Sequence, residues 1–397
     1  MAAIREHIHK VFCMNNISPV GLSRLRSGID ITDNVDEASG ILVRSADMHS
    51  MDFKHDLRAI ARAGAGVNNI PIDKCSDLGI VVFNTPGANA NSVKELVIAG
   101  LFLTSRDIFG GIQWVKNNIA NPDLSKLTEK AKKQFAGHEI YKHTLGVIGL
   151  GAIGVQVANA AISLGMNVYG YDPYLSVKSA WMLSPLVKHA ESPEDLYAVS
   201  DYITIHVPAM ESTKHMINEQ AISKMKDGVK ILNFARDILV DEKALASALT
   251  TGHVEKYISD FPNAISQELD NAIILPHLGA STEEAEENCA VMAVEQMQDY
   301  LDNGNINNSV NYPELNAGKC ETEARVAILH KNIPNMLSQI TSFFGSNNLN
   351  IDNLSNKARG AYAYTLLDLS YKMPSDTVER LKEIDGVLRV RRIFERS

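Results

Sequence analysis

Residues 144–154 read Thr144-Leu-Gly-Val-Ile-Gly-Leu-Gly-Ala-Ile-Gly154; an apolar run follows, and residues 167–172 read Asn167-Val-Tyr-Gly-Tyr-Asp172. The spacing predicts a buried strand over 145–148 and an amphipathic helix over 153–164 with small residues on one side. Gly149, Gly151 and Gly154 stand as G-x-G-x-x-G at the joint, with Ala152 and Ile153 opening the helix. The glycines meet three separate physical demands, namely a tight turn, room for backbone to approach a pyrophosphate, and close packing of helix on strand. The helix start then aims unpaired N–H groups and the positive dipole end at the phosphates. A second strand, 167–171, ends in Asp172, eighteen residues after the last glycine. A carboxylate there accepts hydrogen bonds from an adenosine ribose, and its charge repels a 2′-phosphate. The stretch therefore predicts a dinucleotide site that takes NAD rather than NADP.

The remaining chain frames that site. A length of 397 residues predicts roughly two to four domains. The net charge of −9, with no long basic run, argues against nucleic acid or an anionic membrane as the main partner, so an anionic substrate must meet a local basic pocket. Cys13, Cys75, Cys289 and Cys320 are scattered without a C-x-x-C, which suggests neither a metal site nor a disulfide framework. The first residues are too polar for a signal peptide and no apolar run approaches a membrane span, so a cytoplasmic protein is expected.

Ahead of the glycine motif, 40–44 reads as a strand and 57–63 as a helix. Gly64, Ala65, Gly66 and Val67 follow Arg62, and small residues there let backbone N–H groups face a small anion such as a carboxylate. Asn91 is the expected N-cap of a helix reaching residue 103. Lys130, Lys132 and Lys133 form a basic cluster in a polar stretch. Beyond Asp172, strands at 202–207, 229–233 and 257–260 alternate with helices at 217–225 and 242–249. That alternation predicts a parallel sheet wound on both sides, with ligands at the carboxyl ends of its strands. Arg236, Asp260 and His277 all fall at such ends.

Asn233-Phe-Ala-Arg236, Pro276-His-Leu-Gly-Ala-Ser-Thr282 and the Arg62-Ala-Gly-Ala-Gly-Val-Asn68 loop make the chain resemble the NAD-dependent D-2-hydroxyacid dehydrogenases over residues 1–310. Within that family it is most similar to the members that oxidise 3-phosphoglycerate to 3-phosphohydroxypyruvate at the start of L-serine biosynthesis. The resemblance implies an α/β, two-lobed doubly wound (Rossmann-like) enzyme. A substrate-binding domain would hold 1–95 and 272–310, an NAD-binding domain 96–271, and the active site the cleft between them. Arg236 would clamp the substrate carboxylate and C2 oxygen, and His277 would be the acid/base for the C2 hydroxyl. Phe234, Ala235, Asp260 and Gly279 would line the nicotinamide end. Arg44 and Arg62 would face the substrate, with the backbone of 64–67 on its carboxylate. The long helices at the crossings suit a hinge and a homodimer or homotetramer surface. Family members usually place a glutamate shortly after the aspartate to pair with the histidine. Here the chain reads Asp260-Phe-Pro-Asn-Ala264 with no acid until Glu268. Either Glu268 or another carboxylate reaches His277, or the imidazole works without one. The alternatives are another D-2-hydroxyacid dehydrogenase, or a dinucleotide-sensing binding protein, which would need neither Arg236 nor His277.

Residues 311–323 read as a linker, and 324–397 as a βαββαβ unit that resembles an ACT domain, a regulatory module that binds amino acids at paired interfaces. That resemblance implies an L-serine effector held by His330, Asn332 and Asn350.

Overall fold

The computed structural model describes residues 9–396. The chain forms two compact units, one holding the residues up to Ala88 and from Glu286 onward, the other Asn89–Ala285. In the first, β1 (His9–Cys13), β2 (Ile29–Thr32), β3 (Gly40–Val43), β4 (Ala59–Arg62) and β5 (Val81–Phe83) make a parallel sheet of order β2-β1-β3-β4-β5. Residues 57–63, expected as a helix, instead contain β4, bonded to β3 on one side and β5 on the other. A short fully buried run such as Ala59-Ile-Ala61 carries no period that separates strand from helix.

The second unit holds β6 (Thr144–Ile148), β7 (Asn167–Tyr171), β8 (Lys188–His189), β9 (Tyr202–Ile205), β10 (Val229–Asn233), β11 (Val254–Ser259) and β12 (Ala272–Ile274). They form one parallel sheet of order β12-β11-β10-β9-β6-β7-β8. The order reverses between β6 and β9, and a crevice opens at the carboxyl ends of strands beside such a switch. Val147, Ile203, Leu232 and Ile258 fill the sheet's interior. The helix expected from Asn91 runs Ala90–Ser105, and its cap is Asn89. The Asn91 amide instead donates to Glu95 Oε1 at 2.9 Å, within the first turns. The return to the first lobe expected at residue 272 is also displaced. The strand there satisfies its backbone by pairing with β11, and the division between units falls at 285/286, inside the helix Glu283–Asn303.

The C-terminal strands β13 (Ala324–Lys331), β14 (Ile351–Arg359), β15 (Tyr362–Leu369) and β16 (Val387–Glu395) form an antiparallel sheet of order β14-β15-β13-β16. One face packs on the helices Met336–Ser346 and Thr377–Lys382 through Val326, Ile328, Leu367 and Leu369. The opposite face is not solvated. Ala327, Leu329, Tyr364 and Leu366 join one core with Phe83, Tyr300, Leu301 and Tyr312 of the same unit. Arginines on that face serve as caps for backbone carbonyls. Arg325 donates to Asn303 O at 3.0 Å and Gly318 O at 2.6 Å. Arg389 reaches Leu57 O at 2.5 Å and Leu78 O at 3.0 Å, and Arg391 reaches Leu301 O at 3.0 Å while lying over the Tyr300 ring. The stretch expected as a linker is likewise anchored at its start, because Asn311 and Tyr312 are buried and Tyr312 Oη donates to Ser76 O at 2.7 Å.

Candidate active site

The three glycines occupy three different environments. Gly149 has φ +89°, and a Cβ there would lie 2.6 Å from His206 O. Gly154 is tighter still, since its Cβ would sit 1.9 Å from Gly149 O. At Gly151 a Cβ would meet nothing within 4 Å. Backbone geometry thus forbids a side chain at the first and third positions, while the second faces open space at the start of the helix Ala152–Ser163. Gly151 is that helix's N-cap and provides no side-chain cap, so the first N–H groups stay available to an anion. Asp172 closes the constellation. Its Oδ2 accepts from Leu150 N and its Oδ1 from Tyr174 N, both at 2.8 Å. A carboxylate has about four lone-pair sites, so capacity remains for ribose hydroxyls. The residues present fit a dinucleotide.

Arg236, Asp260 and His277 lie just beyond β10, β11 and β12. Asn233 fixes the approach to the first: its amide donates to Arg236 O at 2.8 Å and its Oδ1 accepts from Ala235 N at 3.2 Å. Phe234 is buried against Gly100 of the helix Ala90–Ser105, so its side chain belongs to the core while its backbone carries the turn. Asp260 is 1% exposed. Its Oδ2 accepts from Gly279 N at 2.8 Å and its backbone oxygen from His277 N at 2.8 Å. Its Oδ1 is buried without a partner. Burial pushes this carboxyl above the ordinary range, against the pull of the Gly279 N–H and the His277 and Arg236 charges. A buried acceptor with a spare oxygen suits a primary amide such as that of nicotinamide.

His277 adopts φ +31°, a conformation that for a residue with a Cβ costs on the order of 1–3 kcal/mol and tends to mark functional sites. Among the described residues no carboxylate hydrogen-bonds or ion-pairs with its ring. Glu268 sits on the turn Ser266–Glu268. The intervening loop is tied elsewhere: Asn263 Oδ1 accepts from Ser266 N at 2.8 Å while its amide reaches Glu242. The ring instead packs on Phe261, with centroids 4.7 Å apart. Phe261 also lies under the Arg236 guanidinium, 5.7 Å from ring centre to Cζ. The sequence gives no signal for this aromatic, because neighbouring residues in an irregular loop carry no periodicity.

In the first unit, Arg62 is the last residue of β4 and leads into the 64–67 loop, and its Nε donates to Arg44 O at 2.9 Å. Arg44 is paired with Glu286 at 2.6 Å. Asn84 donates to Ala65 O at 2.6 Å, which pins the loop. Lys130 lies on the helix Leu124–Ala131, with Lys132 and Lys133 on the turn after it; Lys132 is paired with Glu129. In the C-terminal sheet His330 is 2% exposed. Its Nδ1 meets Lys331 O at 2.8 Å and its Nε2 meets Thr365 Oγ1 at 2.9 Å. Asn332 donates to Gly360 O at 3.1 Å, and the Asn350 amide to Asp352 and Ser370. His330 pairs with Ala363, whereas Asn350 adjoins the Ile351–Leu369 pair. Six residues along a strand separate them by about 20 Å, so one copy of the sheet does not bring the three together.

Comparison with known proteins agrees with this geometry. Residues 98–279 match the family model for the D-isomer specific 2-hydroxyacid dehydrogenase, NAD binding domain. The chain is 33% identical over 340 residues to D-3-phosphoglycerate dehydrogenase of Haemophilus influenzae, covering 83% of this chain and 79% of that one. It is 34% identical over 329 residues to D-3-phosphoglycerate dehydrogenase of a Synechocystis species, covering 77% of this chain but 56% of that longer protein. The solved structure of 3-phosphoglycerate dehydrogenase from Entamoeba histolytica with NAD+ bound aligns with a TM-score of 0.59 at 27% identity, over 77% of this chain and 99% of that one. With a glycine loop open at its middle position, an acid at the end of the next strand and these relatives, the chain belongs to the D-isomer-specific 2-hydroxyacid dehydrogenases, NAD-dependent oxidoreductases.

Proposed function

We propose that this chain oxidises D-3-phosphoglycerate to 3-phosphohydroxypyruvate with NAD, the first step of L-serine biosynthesis, in the cytoplasm. The observation that carries the reading is the convergence of Arg236 and His277 on one aromatic ring beside the buried, unpaired Asp260 oxygen. When bound, NAD supplies the acceptor for the hydride that leaves C2. Arg236 holds the substrate carboxylate and C2 oxygen; its planar fork of N–H groups donates bidentately to a carboxylate. His277 takes the C2 hydroxyl proton as the carbonyl forms, the task of a positioned acid/base. Asp260, with its buried and unpaired Oδ1, would accept from the amide of the nicotinamide. Arg44, Arg62 and the N–H groups of Gly64, Ala65, Gly66 and Val67 supply donors for the anionic substrate. His277→Ala should slow turnover by about 10²–10⁴ while NADH binding persists. Arg236→Lys keeps the charge, loses the fork and should cripple turnover. Full activity in either variant refutes the assignment.

A homodimer fits the same chain. The helices Ile108–Asn118 and Leu124–Ala131 bury no residue, while Phe109 and the C-cap Ile119 are exposed at 62% and 72%. Between them lies an apolar groove of about 550 Å³ lined by Ile112, Trp114, Val115 and Phe135. An arm of this kind gains its stability by burial against a second copy.

Regulation by L-serine through the βαββαβ unit completes the proposal. Asparagine amides offer both donors and acceptors to a zwitterion. Asn332 and Asn350 stand at opposite ends of the sheet, so a shared site takes one from each of two copies. His330 has both ring nitrogens engaged, with Lys331 O and Thr365 Oγ1, and stands behind this site rather than in it.

A further inference from the structure

We propose that Phe261 is a positioning residue for this reaction, a shared aromatic plate that orients both the Arg236 guanidinium and the His277 imidazole. The inference rests on the reading of Arg236 and His277 given above. Both side chains are exposed and reach out from strand ends, where long or freely rotating groups lose precision. Each finds the same ring: His277 at 4.7 Å between centroids with planes inclined by 46°, and Arg236 at 5.7 Å from Cζ to centroid. The negative face of an aromatic ring attracts a guanidinium, and tilted ring pairs are favoured over eclipsed ones.

The plate itself is fixed from its backbone. Phe261 N donates to Ser259 Oγ at 3.2 Å. The preceding residue, Asp260, is locked to His277 N through its carbonyl and to Gly279 N through its carboxylate, both at 2.8 Å. Backbone and ring therefore hold His277 from two sides, despite its positive φ. This arrangement stands where a carboxylate partner is absent, because the loop that could bring one is tied to Glu242 and Ser266 instead. An aromatic face orients the imidazole without adding charge, and it couples the position of the proton acceptor to that of the carboxylate clamp. The reacting C2 lies between the groups those two residues hold, so a small error in their relative placement falls directly on the transition state.

Chemistry separates this role from simple filling of space. Leucine keeps apolar volume but has no π face; tyrosine keeps the face. In the full-length protein with NAD and 3-phosphoglycerate, Phe261→Leu should lower kcat/KM for the acid substrate by about 5- to 20-fold, mostly in kcat. KM for NAD and the thermal midpoint should hold. Phe261→Tyr should stay within about twofold of the parent. Wild-type kcat/KM in Phe261→Leu overturns the proposal, and so does a tyrosine variant as impaired as the leucine one. His277→Ala measured alongside separates the failures. If it is inactive while Phe261→Leu is normal, only the role of Phe261 falls; if it is fully active, the reading of the site falls and takes this proposal with it.

Discussion

Gly151→Ala and Gly154→Ala, three residues apart in one loop, should fail in opposite ways. At Gly154 a Cβ would stand 1.9 Å from Gly149 O and 3.0 Å from its carbonyl carbon. Ordinary contact begins near 3.4 Å, so backbone, not a flexible side-chain tip, must move by more than 1 Å. Alanine's advantage over glycine inside a helix is about 0.5–1 kcal/mol. Overpacking a rigid contact costs about 1–3 kcal/mol or more, so the clash wins and the variant loses stability. At Gly151 the φ of −75° is open to any residue and nothing lies within 4 Å. Alanine there should leave the free protein as stable or gain about 0.4–1 kcal/mol. Its methyl group, however, would occupy the space proposed for the pyrophosphate. Thermal unfolding and NADH fluorescence titration read the two effects. The expected pattern is a lowered midpoint for Gly154→Ala, and an unchanged or raised midpoint with weakened NADH binding for Gly151→Ala. Wild-type NADH affinity in Gly151→Ala would refute the placement of the pyrophosphate.

Further expectations concern cofactor choice, pH and regulation. Asp172 should make the enzyme prefer NAD to NADP by at least tenfold, about 1.4 kcal/mol, and Asp172→Ala should narrow that ratio in steady-state assays with both cofactors. Burial holds His330 below its ordinary value of 6.5. Its contribution to stability is therefore complete above about pH 6.5 and is lost as pH falls toward the folded value, where the unfolded chain binds the proton first. Thermal midpoints at about pH 7.5 and about pH 5.5 should drop further in the parent than in His330→Gln. Serine should bind the full-length protein in calorimetry and inhibit it, with both responses lost in Asn332→Ala and in Asn350→Ala. Point variants are the right test, because removing the C-terminal sheet would uncover the core it shares with Tyr300 and Tyr312.

The parts legible in the sequence are those with steric or periodic demands of their own. The glycine loop is one, since no other residue fits at Gly149 or Gly154. The seven-stranded sheet is another, because strands and helices alternate at regular spacing. What escaped has equally physical grounds. The Ala59–Arg62 strand is too short and too uniformly apolar to show a period. In β16 the alternation of Arg389 and Arg391 with apolar residues reads as a polar face turned to water. In the structure that face caps carbonyls of the same unit, and sequence periodicity says nothing of what covers a face. At the site, Arg236, Asp260 and His277 were legible as strand-end residues, whereas the ring between two of them was not. Phe261 matters through where a non-repeating loop folds back, which local pattern does not encode.

The most direct test is to mix the purified protein with NAD and either D-3-phosphoglycerate or D-lactate and follow NADH absorbance. The account predicts NADH formation with 3-phosphoglycerate, slowed by about 10²–10⁴ in His277→Ala, and none with D-lactate. NADH formation with D-lactate and none with 3-phosphoglycerate would contradict it.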